Sequence, residues 1–315
     1  MPSVTYDGRS FLVDGRRIWL VGGSLDPARV LRDQWADRVH AARLAGLNTL
    51  EVPVVWSRHE ARPGKFDFEG ENDLPHLLDL IQRAGMYAVL RVGPYVGSDY
   101  DLGGIPAWVA ALPNVRVRCA SAPFLEAASR FLTAVAERVR ALQVTATGAG
   151  GPVLMVQTET GWTCGDSQAA NDYLGELIRY LREAGISVPV INDNNLWQAV
   201  ERELEGWSGD RQMLATMRQL ASVRPGQPRV AIDYPIGRSS TWGREAPAPP
   251  EPGRVLRGLA EVLAGGGQFC VQPFIGGSNF GFTGGRTTDD GASFVCATAD
   301  HGAPVSESGA PSPLY

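Results

Sequence analysis

The chain has 315 residues, of which 44% are hydrophobic and 20% are charged. These fractions are close to those of soluble globular proteins, so they exclude a disordered chain and supply enough apolar side chains for a core. A formal net charge of −5 argues against a nucleic-acid partner, because phosphates attract a basic face.

The cysteines and the apolar stretches narrow the class further. The four cysteines lie far apart and form no pair at metal-ligand spacing, so we expect reduced thiols, no metal and no other cofactor. The first residues lack the charged start and the apolar run of a signal peptide, which predicts a cytoplasmic protein. Glycines interrupt the uncharged stretch 262–285, so no membrane span is predicted.

Short apolar runs alternate with amphipathic segments along the chain, which is typical of βα units and a parallel sheet. The predicted strands are 18–22, 49–54, 87–92, 153–157, 188–191, 204–207, 230–232 and 268–274. The predicted helices between them are 31–45, 74–84, 123–142, 167–184, 212–221 and 255–264. Eight strands predict an α/β fold, a single (β/α)8 TIM barrel over residues 1–315. A doubly wound open sheet is the alternative, but the phosphate-binding glycine motifs of its nucleotide-binding forms do not occur.

Polar and aromatic residues cluster where these strands end, and the chemistry of a barrel lies at that face. Carboxylates accept hydrogen bonds from hydroxyls and aromatic rings cover apolar C–H faces, so this mixture suits a sugar-like ligand. The predicted contact residues are Arg29, Glu51, Trp56, Tyr95, Asp99, Asp101, Glu159, Trp162, Asn192, Asp193, Asp233, Tyr234 and Asn279. Solvated loop acids are the alternative interpretation.

Two long motifs lie between Trp35 and Trp108: GLNTLEVPVVWSRHEARPGKFDFEGENDL and LRVGPYVGSDYDLGGIPAWV. They resemble glycoside hydrolase family 35, the β-galactosidases, and GGPVLMVQTE, WGR, GGSNFGFTGG and APVSESG follow in that family's order. The resemblance covers nearly the whole chain. It implies a retaining glycosidase barrel without the family's additional β-rich domains, and it adds Trp242 of the WGR motif to the predicted contact residues.

The resemblance also implies where the family's two catalytic glutamates would fall. Laid on VQxENEYG without gaps, the strand-four segment places Thr160 at the sugar-contacting Asn and Gly161 at the acid/base Glu, while Asp233 takes the nucleophile position. Glycine cannot donate a proton. Galactose-contacting positions are also changed, to Pro53, Ser57, Gly97, Ser98, Asp99, Pro235 and Arg238. We therefore predict that the chain is not a β-galactosidase.

Three hypotheses describe its chemistry. The first is acid/base catalysis on a sugar-like or oxygen-rich small molecule, with Asp233 as base or nucleophile and Glu159 or Asp99 as acid. Strand alternation predicts that Glu159 points to the same side as position 161. The reaction would be hydrolysis of an unusual glycoside, or a cyclisation, elimination or isomerisation. The second hypothesis is a pseudoenzyme that binds a glycan or metabolite, and the third is a metal-dependent enzyme.

Overall fold

The computed structural model describes residues 2–97, 99–148, 150–237, 239–245, 247–281, 283–287, 293–297 and 302–315. An antiparallel meander comes first, formed by β1 (Val4–Tyr6), β2 (Phe11–Val13) and β3 (Arg16–Ile18). A ring of parallel strands follows: β4 (Val21–Ser24), β5 (Thr49–Pro53), β6 (Tyr87–Gly93), β7 (Val153–Thr158), β8 (Val190–Asn192), β9 (Leu204–Glu205), β10 (Trp207–Ser208), β11 (Arg229–Pro235) and β13 (Gly267–Gln272).

Helices connect the ring strands. They are α1 (Trp35–Leu44), α2 (Trp56–His59), α3 (Leu74–Arg83), α4 (Ala107–Ala110), α5 (Ala122–Val139), α6 (Ser167–Glu183), α7 (Met213–Val223) and α8 (Pro252–Ala264). The loops after β11 and β13 contribute a small antiparallel sheet of β12 (Ser240–Thr241), β14 (Arg286–Thr287) and β15 (Ser293–Ala297).

The ring strands pair in the order β10–β11–β13–β4–β5–β6–β7–β8–β9. The two end strands, β9 and β10, are separated in the chain by Gly206 alone, so together they form one interrupted sixth strand that nearly closes a (β/α)8 barrel. The Gly206 N–H donates to the Asn192 carbonyl at 2.8 Å. A Cβ atom at position 206 would lie 2.4 Å from that same oxygen, so the close approach requires glycine.

Most of the apolar core lies between the ring and its helices. Strand β5 is buried along its whole length, as expected of a parallel strand covered on both faces. The long helix α5 buries Phe124 and Phe131 among its inward residues. A second cluster joins Val89 and Ile232 of the ring to Phe11 of the meander, so the meander packs against the ring.

The alternation predicted from the sequence is confirmed, and most strand ends fall within two residues of the prediction. The first strand is the exception. The sequence predicts 18–22, whereas β3 ends at Ile18 and β4 begins at Val21. The prediction merged the last meander strand with the first ring strand, because no glycine or proline marks the break at Trp19 and Leu20. The first helix likewise begins at Trp35, after a short 3₁₀ turn.

Two expected absences can be compared with the described part of the chain. None of the helices described there is long and apolar enough to cross a membrane. Within the same residues, no three or more His, Cys, Asp or Glu side chains gather as a metal ion would require. The cytoplasmic location stays a prediction.

Candidate active site

A cavity of about 280 Å³ opens at the carboxyl ends of the ring strands. Its size approaches the lower end of small-molecule pockets. The wall is formed by Ser24, Asp26, Arg29, Glu51, Pro53, Arg91, Val96, Gly97, Asp99, Tyr100, Thr160, Asp233, Pro235, Gly237, Ser239, Gln272, Pro273 and Ile275. Five of these were predicted as site residues: Arg29, Glu51, Asp99, Thr160 and Asp233. Ser98 and Arg238 lie outside the described residues.

Two buried charges on neighbouring strands meet in the cavity wall. Arg91 Nε on β6 donates to Glu51 Oε1 on β5 at 2.7 Å. Arg91 also donates to the Val96 carbonyl and to the side-chain oxygen of Gln272. Glu51 is fully buried, and its Oε2 has no hydrogen-bond partner. Burial raises the pKa of Glu51 to about 6, against the opposing effect of Arg91. One carboxylate oxygen therefore stays available to a ligand.

A second network surrounds Arg29. Its Nε donates to Asn279 Oδ1 at 2.9 Å, and its two terminal nitrogens lie 3.5 Å from Asp26 Oδ2 and 3.8 Å from Asp99 Oδ2. The guanidinium carbon lies 4.4 Å from the centre of the Tyr100 ring, and the Tyr100 hydroxyl donates to Asp26 at 2.6 Å. Arg29 is thus shared between two carboxylates and fully paired with neither.

Asp233 lies on β11, two residues before that strand ends, and is half-buried in the cavity wall. The Ser208 hydroxyl donates to its Oδ2 at 3.0 Å. Within the described ranges no Arg, Lys or His lies within ion-pair distance of Asp233. Asp233 therefore faces the cavity with one neutral hydrogen-bond donor and no paired cation.

Asp193 follows β8 and is buried behind the cavity wall rather than in it. Its Oδ1 accepts the Gly161 N–H at 2.8 Å, while Oδ2 is buried without a partner. Burial, and next the charge of Asp233, raise the pKa of Asp193 to about 7. Asp193, a carboxyl with a pKa near neutral, thus holds the backbone of Gly161. Gly161 is the position at which the family resemblance expects an acid/base side chain.

Glu159 does not face the cavity. Strand β7 ends at Thr158 and Glu159 has a φ of 51°, so side-chain alternation stops one residue before it. The Tyr173 hydroxyl donates to Oε1 at 2.6 Å, and Arg118 Nε donates to Oε2 at 2.8 Å. Burial raises the pKa of Glu159, and Arg118 opposes this effect. Both carboxylate oxygens are occupied, so the prediction of Glu159 as the acid does not agree with this geometry.

Gly161 also adopts the left-handed backbone, with a φ of 56°. A Cβ built on it would meet no atom within 4 Å. No described side chain has moved into the space of a side chain at this position. The neighbouring Thr160 lines the cavity, and its hydroxyl oxygen is buried without a hydrogen-bond partner.

Two predicted contact residues, Trp56 and Tyr234, belong to the hydrophobic core. Trp56 is fully buried, and its Nε1 donates to Glu60 at 2.7 Å. Tyr234 points the other way from Asp233, and its hydroxyl lies 3.5 Å from the Val255 carbonyl of α8. Strand alternation explains this reversal, because neighbouring residues point to opposite faces.

The remaining predicted residues support or surround the site without lining it. Tyr95 packs its ring against the guanidinium of Arg118 at 3.7 Å, and Trp162 Nε1 donates to the Arg118 carbonyl. Asn192 donates to the buried Glu203, while Asn279 holds Arg29 as described above. Asp101 and Trp242 are exposed and do not belong to the cavity wall.

Sequence reasoning missed five polar residues of the wall: Ser24, Asp26, Arg91, Ser239 and Gln272. Arg91 had a visible signal, because it is the one charged residue in the apolar strand YAVLRVG. A charge in a buried strand needs a partner, and Glu51 in the apolar strand TLEVP gives the complementary signal. Asp26 lies after the first predicted strand and Gln272 lies within the eighth, and neither residue gave a further signal.

Comparison with known proteins agrees with this geometry. The profile of Glycosyl hydrolases family 35 matches residues 10–315. Human "Beta-galactosidase-1-like protein 2" is 31% identical over 88% of this chain and 44% of its own length. A beta-galactosidase of Xanthomonas manihotis is 29% identical over 100% of this chain and 53% of its own length. The chain therefore spans about half the length of the curated relatives that it matches.

Two solved structures share the fold at low sequence identity. An exo-beta-1,4-mannosidase from Opitutaceae bacterium strain TAV5 superposes with a TM-score of 0.62 at 14% identity, over 86% of this chain and 55% of the other. A beta-galactosidase from Marinomonas ef1 gives a TM-score of 0.61 at 13% identity, over 93% of this chain and 57% of the other. Both matches support the barrel architecture.

Proposed function

Because the chain belongs to glycosyl hydrolase family 35, we propose that its barrel mouth performs carboxylate acid/base chemistry on a sugar-like, oxygen-rich small molecule. The reaction is hydrolysis of an atypical glycoside, or a cyclisation, elimination or isomerisation of a related compound. The cavity that supports this proposal holds four carboxylates and two guanidiniums, a set suited to a ligand with many hydroxyls.

One observation carries the proposal. Asp233 stands at the position that the family resemblance assigns to the nucleophile, it lines the cavity, and Ser208 is its one side-chain partner among the described residues. An ionised carboxylate with free lone pairs can attack an electrophilic carbon or accept a proton. Asp233 is therefore proposed as nucleophile or base.

The proton donor in this proposal is Glu51 instead of Glu159. Glu51 lines the same cavity, has one oxygen without a partner, and has a pKa raised to about 6 by burial. A general acid works best when its pKa lies near the operating pH. Two carboxyls in different surroundings can take opposite roles in acid/base chemistry.

We further propose that the chain is not a β-galactosidase, because Gly161 supplies no acid/base side chain. Wild-type protein should not release nitrophenol from nitrophenyl β-galactoside. Sustained, enzyme-dependent release would contradict this part of the proposal.

The experiment for the catalytic role uses Asp233→Asn. The protein is assayed against a panel of nitrophenyl glycosides, and against small sugars and lactones followed by NMR. Whichever compound the wild type converts, we expect the variant to lose at least about 100-fold in turnover, since the amide can neither attack nor accept a proton. The melting temperature should change little, because Asn still accepts from Ser208.

The control is Asp79→Asn, which removes the same charge from the outer helix α3. Asp79→Asn should retain wild-type turnover. Full turnover in Asp233→Asn would remove Asp233 from the mechanism.

The empty space at Gly161 favours a second candidate, a barrel that binds a glycan or metabolite without converting it. No other described side chain reaches the vacated position. Saturable binding of a compound that stays chemically unchanged, with equal affinity in wild type and Asp233→Asn, would support this candidate over the first.

A further inference from the structure

We propose that the cavity selects a cationic ligand, a sugar-like molecule bearing a protonated amine. This inference rests on the proposed function, because it names the substrate class of the same cavity. It starts from the charges in the wall. Asp26, Glu51, Asp99 and Asp233 contribute four carboxyls, against the two guanidiniums of Arg29 and Arg91. Counted over the described residues, the charged groups of the wall stay net negative even when one carboxyl carries a proton.

The two guanidiniums are not shared evenly among the four carboxyls of the wall. Arg91 is committed to Glu51 at 2.7 Å. Arg29 lies between Asp26 and Asp99, at 3.5 and 3.8 Å, and its Nε is occupied by Asn279. These long contacts leave a net negative charge beside Asp99, and Asp233 has no cationic partner among the residues that the structure describes.

Three polar side chains of the wall direct hydrogen-bond donors toward protein acceptors. The Tyr100 hydroxyl donates to Asp26, the Ser239 hydroxyl donates to Asp99 at 2.6 Å, and Arg91 donates to Glu51. Besides the unpartnered Thr160 hydroxyl, the wall offers a ligand mainly acceptor oxygens. A ligand rich in N–H and O–H groups complements that set.

A separate feature of the wall, an unpartnered carboxylate oxygen of Glu51, also points to a ligand group. Glu51 is 0% exposed and lines the cavity, yet its Oε2 has no hydrogen-bond partner. Buried polar atoms are nearly always satisfied, so an unpartnered carboxylate oxygen at a cavity wall marks a place for a ligand group. A ligand hydroxyl suits this oxygen.

Asp99 is the carboxylate that the geometry assigns to the ammonium. Its side chain is 38% exposed, so a ligand reaches it from the mouth. Its Oδ1 accepts from Ser239, and its Oδ2 has no contact shorter than 3.8 Å to a cation. An ammonium placed here forms charge-assisted hydrogen bonds that a neutral hydroxyl or acetamide cannot match.

The test measures binding by ligand-observed NMR and calorimetry near neutral pH and at low salt. The probes are D-glucosamine and D-galactosamine, their N-acetyl forms, and D-glucose and D-galactose. We expect the two amines to bind about tenfold more tightly than their neutral counterparts, with the preference shrinking as salt is added. Asp99→Asn should abolish the preference, whereas Asp79→Asn on α3 should keep it.

Equal or tighter binding of the neutral sugars, or no binding of either amine, would overturn the inference. A preference that survives in Asp99→Asn would overturn the assignment to Asp99. The result is separable from the proposed function. Turnover of a compound without an amine, lost in Asp233→Asn, would leave catalysis standing and refute the charge selection. Amine binding without any turnover would leave the charge selection standing and contradict the proposed catalysis.

Discussion

The ends of strands β7 and β11, to which the family resemblance assigns the carboxyl pair of a retaining glycosidase, differ in this structure. At β11, Asp233 faces the cavity and has a single neutral partner. After β7, Glu159 is buried away from the cavity with both oxygens occupied by Tyr173 and Arg118, and the next position but one is Gly161. The carboxylate at the β11 end faces the cavity, whereas the carboxylate after β7 is held by protein side chains.

This difference teaches that a carboxylate at a barrel strand end has no fixed role. The role follows from the partners that surround it. Arg118 and Tyr173 neutralise and orient Glu159, so its charge stabilises the loop after β7. Asp233 lacks such partners, so its charge is available to chemistry. Three substitutions test the comparison, from the largest expected effect to the smallest.

Removing Arg118 tests whether the β7 end is structural. Arg118→Ala leaves the Glu159 carboxylate buried beside Tyr173 without a cation. We expect the free energy of unfolding to fall by about 3 kcal/mol near neutral pH, because an uncompensated buried charge is costly. Urea denaturation measures the loss, which should shrink at acid pH as Glu159 takes up a proton.

The control for Arg118 is Arg130→Ala, which breaks the exposed ion pair between Arg130 and Glu126. Exposed pairs contribute little, so the expected change is within about 0.5 kcal/mol. Equal losses in the two variants would mean that Glu159 needs no cation, and the contrast between the strand ends would disappear.

Asp193→Asn tests the carboxyl that lies between the two ends. The folded pKa of Asp193 is raised to about 7 from an ordinary value of 3.8, so the folded state binds the proton more tightly than the unfolded chain. The contribution of Asp193 to wild-type stability is therefore most favourable at low pH and falls as the pH rises from about 4 toward about 7. The Asn variant lacks this slope and still accepts the Gly161 N–H.

The stability difference in favour of Asp193→Asn should grow by about 2 kcal/mol between about pH 5 and pH 7. Unfolding curves across that range measure it. Parallel curves for wild type and variant would show that Asp193 stays ionised, and that the negative charge near Asp233 is tolerated without protonation.

Gly161→Glu returns a carboxyl to the β7 end. The side chain has open space, but the left-handed backbone costs an L-residue about 1 kcal/mol. Gly165→Glu is the matched control, with a φ of 68° and no atom within 4 Å of its Cβ position. We expect equal, small losses in melting temperature and no release of nitrophenol from nitrophenyl β-galactoside. Activity gained by Gly161→Glu alone would show that one side chain was all that the β7 end had lost.

The fold was largely predictable from the sequence because a barrel is encoded by repeated local patterns. Apolar runs such as that of β5 predict strands, and amphipathic segments such as α6 predict helices, from fewer than about 20 neighbouring residues. The predicted boundary of the first ring strand was wrong because the segment between β3 and β4 contains no glycine or proline. The sequence correctly predicted a strand near β9 and β10. That these two short strands, separated by Gly206, nearly close the ring depends on their contacts with β8 and β11 in the folded chain.

The site was less predictable because position in the chain does not set direction in space. The sequence indicated Arg29, Glu51, Asp99, Thr160 and Asp233, and the structure places all five in the cavity wall. It equally indicated Glu159 and Tyr234, which point elsewhere. Glu159 is turned by a positive φ that no local pattern announced, and Tyr234 follows Asp233 by one residue and therefore faces α8.

The sequence by itself determined the barrel and the family, and it predicted the missing acid/base side chain, because these depend on residue type, motif and order along the chain. The tertiary structure alone decided which carboxylates are free. That outcome depends on residues distant in sequence, since Arg118 and Tyr173 occupy Glu159, while the described residues supply no cation for Asp233 and leave Glu51 with an unpartnered oxygen. The sequence specifies which side chains can carry a charge, but the distances between opposite charges, and therefore their neutralisation, are set only in the folded chain.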